Sequence, residues 1–242
     1  MSAFFFLFMK SIDVCLSPDL LHLYDVKGKM VVVVDILRAT SCMTTAIAEG
    51  VEEIVPVATL EECQALGRQG YVTAAERDGK KADGFDLGNS PFSYRNGAYR
   101  GQKIAVTTTN GTYALTKSKE AEVLVAGSFL NIGAICGLIK EANLDTIILC
   151  AGWKGKVNLE DSLFAGAVCA RMSNHLAPAC DAPLMAKAMY EKEKGDMMSF
   201  LKESSHVKRL HGLNIHEDIA FCLEQDVYTD VPIYRNERLI KA

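Results

Sequence analysis

Met30-Val31-Val32-Val33-Val34, followed directly by Asp35-Ile36-Leu37-Arg38-Ala39-Thr40-Ser41, is the stretch on which the fold reading turns. Branching at Cβ stiffens the valines and favours an extended chain. The apolar run does not alternate with polar residues, so both of its faces must be covered, as in a parallel sheet with crossover helices on each side. The small polar residues that follow suit a strand-to-helix junction, where hydroxyl and carboxylate side chains cap free N–H groups. A helix is expected to continue to about residue 49.

The same layout recurs three times. Residues 103–106 lead into Thr107-Thr108-Thr109-Asn110-Gly111-Thr112 and a helix over 113–118. Residues 122–126 lead into Gly127-Ser128-Phe129-Leu130-Asn131 and a helix over 132–142. Residues 146–150 lead into a loop over 151–158 and a helix over 159–172. Further strands are expected at 53–57, 70–75 and 12–15. The C-terminal third reads as helices over 183–194, 196–210 and 216–223, with an extended tail over 226–239. Residues 76–100, rich in Gly, Asp and Asn, have no period and read as a long functional loop. The fold class is α/β: one domain over 9–242, three layers α/β/α, with a largely parallel or mixed central sheet.

The chain has 242 residues, 49% of them hydrophobic, and a formal net charge of -4. That length buries a large core. The mildly acidic balance argues against nucleic acid as a partner, which requires a basic face. The apolar stretch at residues 3–8 is far short of the roughly 20 residues of a membrane span, and no basic segment precedes it. It is read as an upstream extension of a chain starting at Met9, with no membrane partner. The eight cysteines include no CxxC pair, which fits free thiols in a reducing cytoplasm.

In open α/β sheets ligands bind beyond the carboxyl ends of the strands, where the polar junctions fall. Thr107 to Gly111 is the strongest anion-cradle candidate, with hydroxyls, an amide and a close backbone approach at a helix start. The competing reading is an ordinary capped strand end. Asp35 and Arg38 bring a carboxylate able to ligate a hard metal or attack phosphorus and a guanidinium able to clamp an anion. The competing reading is an Asp–Arg pair at a surface turn. Glu76, Asp83, Asp86 and the Glu160-Asp161 pair add acids; magnesium needs only one or two carboxylates beside water and substrate oxygens. Glu160-Asp161 equally suits simple stabilisation of a helix first turn. His206, His211 and His216, five residues apart, spread around a helix and read as surface or capping residues. No Walker motif and no GxGxxG occur, which argues against a nucleotide-dependent enzyme.

The stretches VVVVDILRATS, AAERDGKKADGFDLGNSP, TTTNGT, GSFLN, CAGWKGKVNLED, SSHVKRL and EDIAFC, in this order, resemble the 2-phosphosulfolactate phosphatase family, whose archaeal members act in coenzyme M biosynthesis. The resemblance spans about residues 10 to 235. It implies magnesium-dependent hydrolysis of the phosphate ester of a small acidic 2-hydroxy acid, giving sulfolactate and phosphate for the family's own substrate. It implies catalytic roles for Asp35, Arg38, Glu76 and Asp161, and metal ligation by Asp35, Glu76, Asp86 and Glu160. Substrate binding would fall to Thr40, Ser41, Asn89, Ser90, Thr107, Thr108, Thr109, Asn110, Gly111, Ser128, Asn131 and Gly152. Lys154, Lys156 or Arg77 would assist with charge. The nucleophile is left as either Asp35 or a metal-bound water, and monomer or homodimer is left open. The alternatives are a phosphatase for a different small ester and a non-catalytic phosphometabolite-binding protein.

Overall fold

The valine run forms strand β2 (Met30–Val34), in which every residue is buried. The computed structural model describes residues 9–211 and 215–242; the expected extension at residues 1–8 lies outside the described residues. Strand β2 hydrogen-bonds in parallel to β7 (Val123–Gly127) on one side and to β8 (Thr146–Cys150) on the other. Beyond β8 lie β1 (Lys10–Cys15) and β9 (Leu176–Pro178), also parallel. A second parallel block comprises β3 (Glu53–Pro56), β6 (Lys103–Thr107) and β4 (Val72–Arg77), edged by the short antiparallel β5 (Lys80–Lys81).

The two blocks are joined by the C-terminal residues. The tail expected to be merely extended is a hairpin, β10 (Pro232–Arg235) and β11 (Arg238–Lys241), inserted antiparallel between β7 and β3. Its turn residues Asn236 and Glu237 both have positive φ, 49° and 63°, the geometry that matches strand twist across a two-residue turn. The expected sheet is therefore mixed, in the order β5-β4-β6-β3-β11-β10-β7-β2-β8-β1-β9. Antiparallel joins at β7–β10, β10–β11 and β11–β3 reverse one block relative to the other. In a flat sheet the carboxyl ends of β2 and β6 would then lie on opposite edges. They meet here, with Gly111 after β6 packed against Ala39 and Asp35 after β2; at the hairpin each join rests on a single residue pair, Ile233 with Val125 and Leu239 with Ile54. Glu53 on β3 fixes the join: its carboxylate accepts from Tyr71 (2.8 Å) and Arg238 (2.7 Å). Burial opposes ionisation of Glu53, but these hydrogen bonds outweigh it and hold its pKa below the ordinary value.

Alternate residues of β2 serve two cores, as strand periodicity requires. Met30, Val32 and Val34 pack with residues of α4 (Ile132–Ala142), α5 (Leu159–Arg171) and α6 (Asp181–Glu193). Val31 and Val33 pack with α1 (Ala39–Ala48) and α3 (Gly111–Lys117). A smaller core lies under α2 (Leu60–Gly67), around Cys63 and Phe85. This is the three-layer arrangement. The helix expected over 196–210 is broken into α7 (Met197–Leu201) and α8 (Ser205–His211). The cause is Ser204, whose hydroxyl accepts from the backbone N–H of His206 and Val207 and so starts a new helix. Helix α9 (His216–Cys222) follows. All eight cysteines are free, with only Cys180 exposed. Among the described residues no helix is long and apolar enough to cross a membrane.

Candidate active site

The residue after β2 is Asp35, and the loop around it is built from its own side chains. Thr40 Oγ1 accepts from Asp35 N (3.0 Å) and donates to Asp35 O (3.1 Å), while Ser41 Oγ donates to Ile36 O (2.8 Å). Thr40 and Ser41, expected to face substrate, are fully buried and spend their hydroxyls on this turn. Asp35 Oδ1 accepts from Ala39 N at the start of α1 (3.3 Å). Its Oδ2 points towards the start of α3, where only glycine fits. A Cβ on Gly111 would lie 2.7 Å from the Ala39 Cβ and 3.1 Å from Asp35 Oδ2.

Asp35 lines a cavity of about 70 Å³ together with Leu37, Arg38, Glu76, Asp78 and Gly79, and with Asn89, Thr109, Asn110, Trp153, His206, Arg209 and Leu210. That exceeds severalfold the roughly 10–15 Å³ a single water needs. Glu76, at the end of β4, accepts from Gly79 N (2.5 Å) and more weakly from Thr109 N and Oγ1 (both 3.4 Å). Asp35 and Glu76 are 8% exposed each. Burial, then the negative charges of Glu76 and Glu160, push the Asp35 pKa up to about 6, against the lowering effect of His206 and the Ala39 N–H. Two buried acids thus face one cavity from the carboxyl ends of β2 and β4.

Arg38 lines the cavity too, but its charge is already matched. Its guanidinium, 5% exposed, pairs with Asp218 of α9 and donates to Gly79 O (3.2 Å). Asp218 also accepts from Ser90 Oγ (2.9 Å). The Asp35–Arg38 pair weighed from sequence is not formed; Asp218, distant in sequence, is the partner. The peptide bond between Leu37 and Arg38 is cis.

Other expected residues stand apart from the cavity. Asp161 is buried and bridges two strand-end loops, accepting from Ile36 N (2.9 Å) and Gly152 N (3.0 Å). Asp161, expected to be catalytic, uses one oxygen on each of these two N–H groups. Burial and then the charges of Glu160 and Asp35 raise its pKa well above the carboxylate range, opposed by those two N–H groups. Gly152 itself has a positive φ of 58°, and a Cβ there would meet Lys156 O at 2.3 Å. Glu160, expected on metal, accepts from Ser204 Oγ (3.3 Å) and lies 2.5 Å from His206 Nδ1. Asp86, also expected on metal, accepts from Thr73 N and Oγ1 (both 2.8 Å), which lower its pKa, and does not line the cavity. Thr107 bonds to Ala58 and Arg77, and Thr108 to Thr112, so of the Thr-rich run only Thr109 and Asn110 reach the cavity wall. Arg77 is occupied by Glu76 O and Thr107. Ser128 and Asn131 are fully buried, joined to each other, to Thr44 and to Asp230.

His206 corrects the surface reading of the histidines. It is 9% exposed, lines the cavity, and is held by Glu160 and, at 3.4 Å, by Asn158. The His211 side chain lies outside the described residues. The reading also missed Asp78, Gly79, Arg209, Leu210 and Asp218. SSHVKRL and EDIAFC contain three of these side chains and His206, but as helix sequences they carry no strand-end signal. Among the described residues no group of three or more His, Cys, Asp or Glu side chains is placed to hold a metal. Of the three acids on the cavity wall, Asp35 and Glu76 are buried, while Asp78 is exposed and lies 3.5 Å from Lys154 Nζ.

The sequence model of 2-phosphosulpholactate phosphatase matches residues 15–237. A probable 2-phosphosulfolactate phosphatase of Caldanaerobacter subterraneus subsp. tengcongensis is 39% identical over 219 residues, 88% of this chain and 90% of the relative. A protein of Thermotoga maritima with the same description is 37% identical over 226 residues, 93% of this chain and 96% of the relative. One of Clostridium acetobutylicum, likewise described, is 35% identical over 235 residues, 95% and 99% of the two chains. With the match running from Cys15 at the end of β1 to Glu237 in the hairpin turn, the chain belongs to the 2-phosphosulfolactate phosphatase family.

Proposed function

We propose that this chain is a phosphoric monoester hydrolase that converts 2-phospho-3-sulfolactate to 3-sulfolactate and phosphate with magnesium as cofactor. The observation that carries the reading is the pair of buried carboxylates, Asp35 and Glu76, on the wall of one cavity in a chain of this family. A phosphate ester bearing two further acidic groups cannot enter beside two buried carboxylates without added positive charge. Magnesium fits this donor set, because it takes one or two carboxylates and completes its shell with water and substrate oxygens. Bound there, it would neutralise the phosphoryl oxygens and lower the barrier to in-line displacement.

The chain's own residues do the positioning. Thr109 and Asn110 lie beside the cavity where the phosphoryl group would sit, and the buried Arg38–Asp218 pair fixes the wall beside Gly79. Asp35 is oriented by Ala39 N–H through Oδ1, which leaves Oδ2, beside Gly111, uncommitted to the turn. His206, held through Nδ1 by Glu160, lines the cavity and would hold a proton near the leaving oxygen. The test is phosphate release from 2-phospho-3-sulfolactate by the purified chain. Turnover that requires magnesium and stops with chelator is expected; no release with magnesium across a panel of phosphorylated 2-hydroxy acids would refute the reading.

A further inference from the structure

Arg209 differs from every other cation at the cavity. Its guanidinium carbon lies 3.7 Å from the centroid of the Trp153 ring, and among the described residues it has no acidic partner. Arg38 is neutralised by Asp218; Lys154, which does not line the cavity, has its Nζ 4.6 Å from the same ring centroid and 3.5 Å from Asp78. A guanidinium lying on an indole face is held by cation–π attraction and stacking. Stacking leaves the N–H edge free, and that planar fork matches the oxygens of a sulfonate or carboxylate. Arg209 is exposed and Trp153 half-buried, so the pair sits at the outer wall, whereas Asp35 and Glu76 sit deep.

We infer that Arg209, held on Trp153, binds the sulfonate of the substrate and sets the preference for sulfonated esters; this rests on the proposed reaction. The sulfonate is the acidic group that reaches farthest from the phosphoester carbon, one bond beyond the carboxylate. With the phosphoryl group at Asp35 and Glu76, the outer wall is where that remote group falls. Trp153 carries no charge and contributes by fixing the plane of the guanidinium.

The experiment compares 2-phospho-3-sulfolactate, 2-phospholactate (no sulfonate) and the phosphate ester of 2-hydroxyethanesulfonate (no carboxylate) in wild type and Arg209→Gln. KM for the two sulfonated esters is expected to rise roughly 10- to 100-fold, as for loss of a charged hydrogen bond. Both kcat and the KM for the unsulfonated ester should change less than about threefold. Arg209→Lys should recover part of the loss, and Trp153→Leu should show a smaller rise with the same substrate pattern. Unchanged KM ratios in Arg209→Gln, or a rise confined to the carboxylated esters, would overturn the inference. Calorimetric binding of 3-sulfolactate to the same proteins separates the two readings. Arg209-dependent binding without any turnover by wild type would sink the proposed reaction alone. Turnover with Arg209-independent binding would sink this inference alone.

Discussion

The junctions after β2 and after β7 have the same layout and opposite fates. Both run from a buried parallel strand into small polar residues and a helix. After β7, Ser128 and Asn131 close on each other, on Thr44 and on Asp230 O. Nothing is left over for a ligand. After β2, the hydroxyls of Thr40 and Ser41 likewise satisfy the turn, but Asp35 keeps one oxygen, Oδ2, that the turn does not use, on a side chain that lines the cavity. What distinguishes a site from a well-made turn is the polar atom that the turn does not use.

The largest effect expected from this contrast is on turnover. Asp35→Asn keeps the Ala39 contact and the size of the side chain but removes the charge, and activity should fall on the order of 10³-fold or more. Near-normal kcat in that variant would erase the distinction between the two junctions. Next comes Asp218→Asn, which strands the buried Arg38 charge. Breaking one side of such a pair costs about 3–5 kcal/mol, read as a fall in urea midpoint; an unchanged midpoint would show that Arg38 is not paired as described.

Asp35 also gives a pH signature in magnesium-free buffer. Its folded pKa, about 6, lies above the roughly 3.9 of a free aspartate. Between those values the native chain holds a proton that the unfolded chain has lost, so stability falls as pH rises from about 4 through about 6. The expected loss is about 2 kcal/mol, and Asp35→Asn should flatten it. Denaturant melts at pH 4.5 and 7.5 check this; equal slopes in wild type and variant would contradict it. The smallest effect belongs to the β7 junction. Ser128→Ala should cost about 1–2 kcal/mol for the unsatisfied partners while leaving kcat within twofold, and a large loss of kcat would place Ser128 at the site after all.

Strand runs were legible because buried β-branched segments have few alternatives; Asp35, Thr109 and Asn110 stood out at strand ends, and Glu76 as an acid opening a long Gly-rich loop. The hairpin at the centre of the sheet was not, since Asn236-Glu237 carries no glycine and its strands are only four residues each. The α7–α8 break was hidden as well, because Ser204 acts as a cap only through contacts with residues ahead of it. That break places His206 and Arg209 at the cavity, and the pairing of Arg38 with Asp218 spans 180 positions. Long-range charge pairing leaves no local pattern. The contacts of Asp161 and Asp86 were not legible for the converse reason: an acid that accepts from backbone N–H groups looks the same in sequence as one that faces a ligand.

A crystal structure with magnesium and 3-sulfolactate tests the central claim most directly. The account predicts the cation on Asp35 and Glu76 with the organic ligand in the same cavity. A cation on Asp86, or on Glu160 and Asp161, with the Asp35 cavity empty, would contradict it.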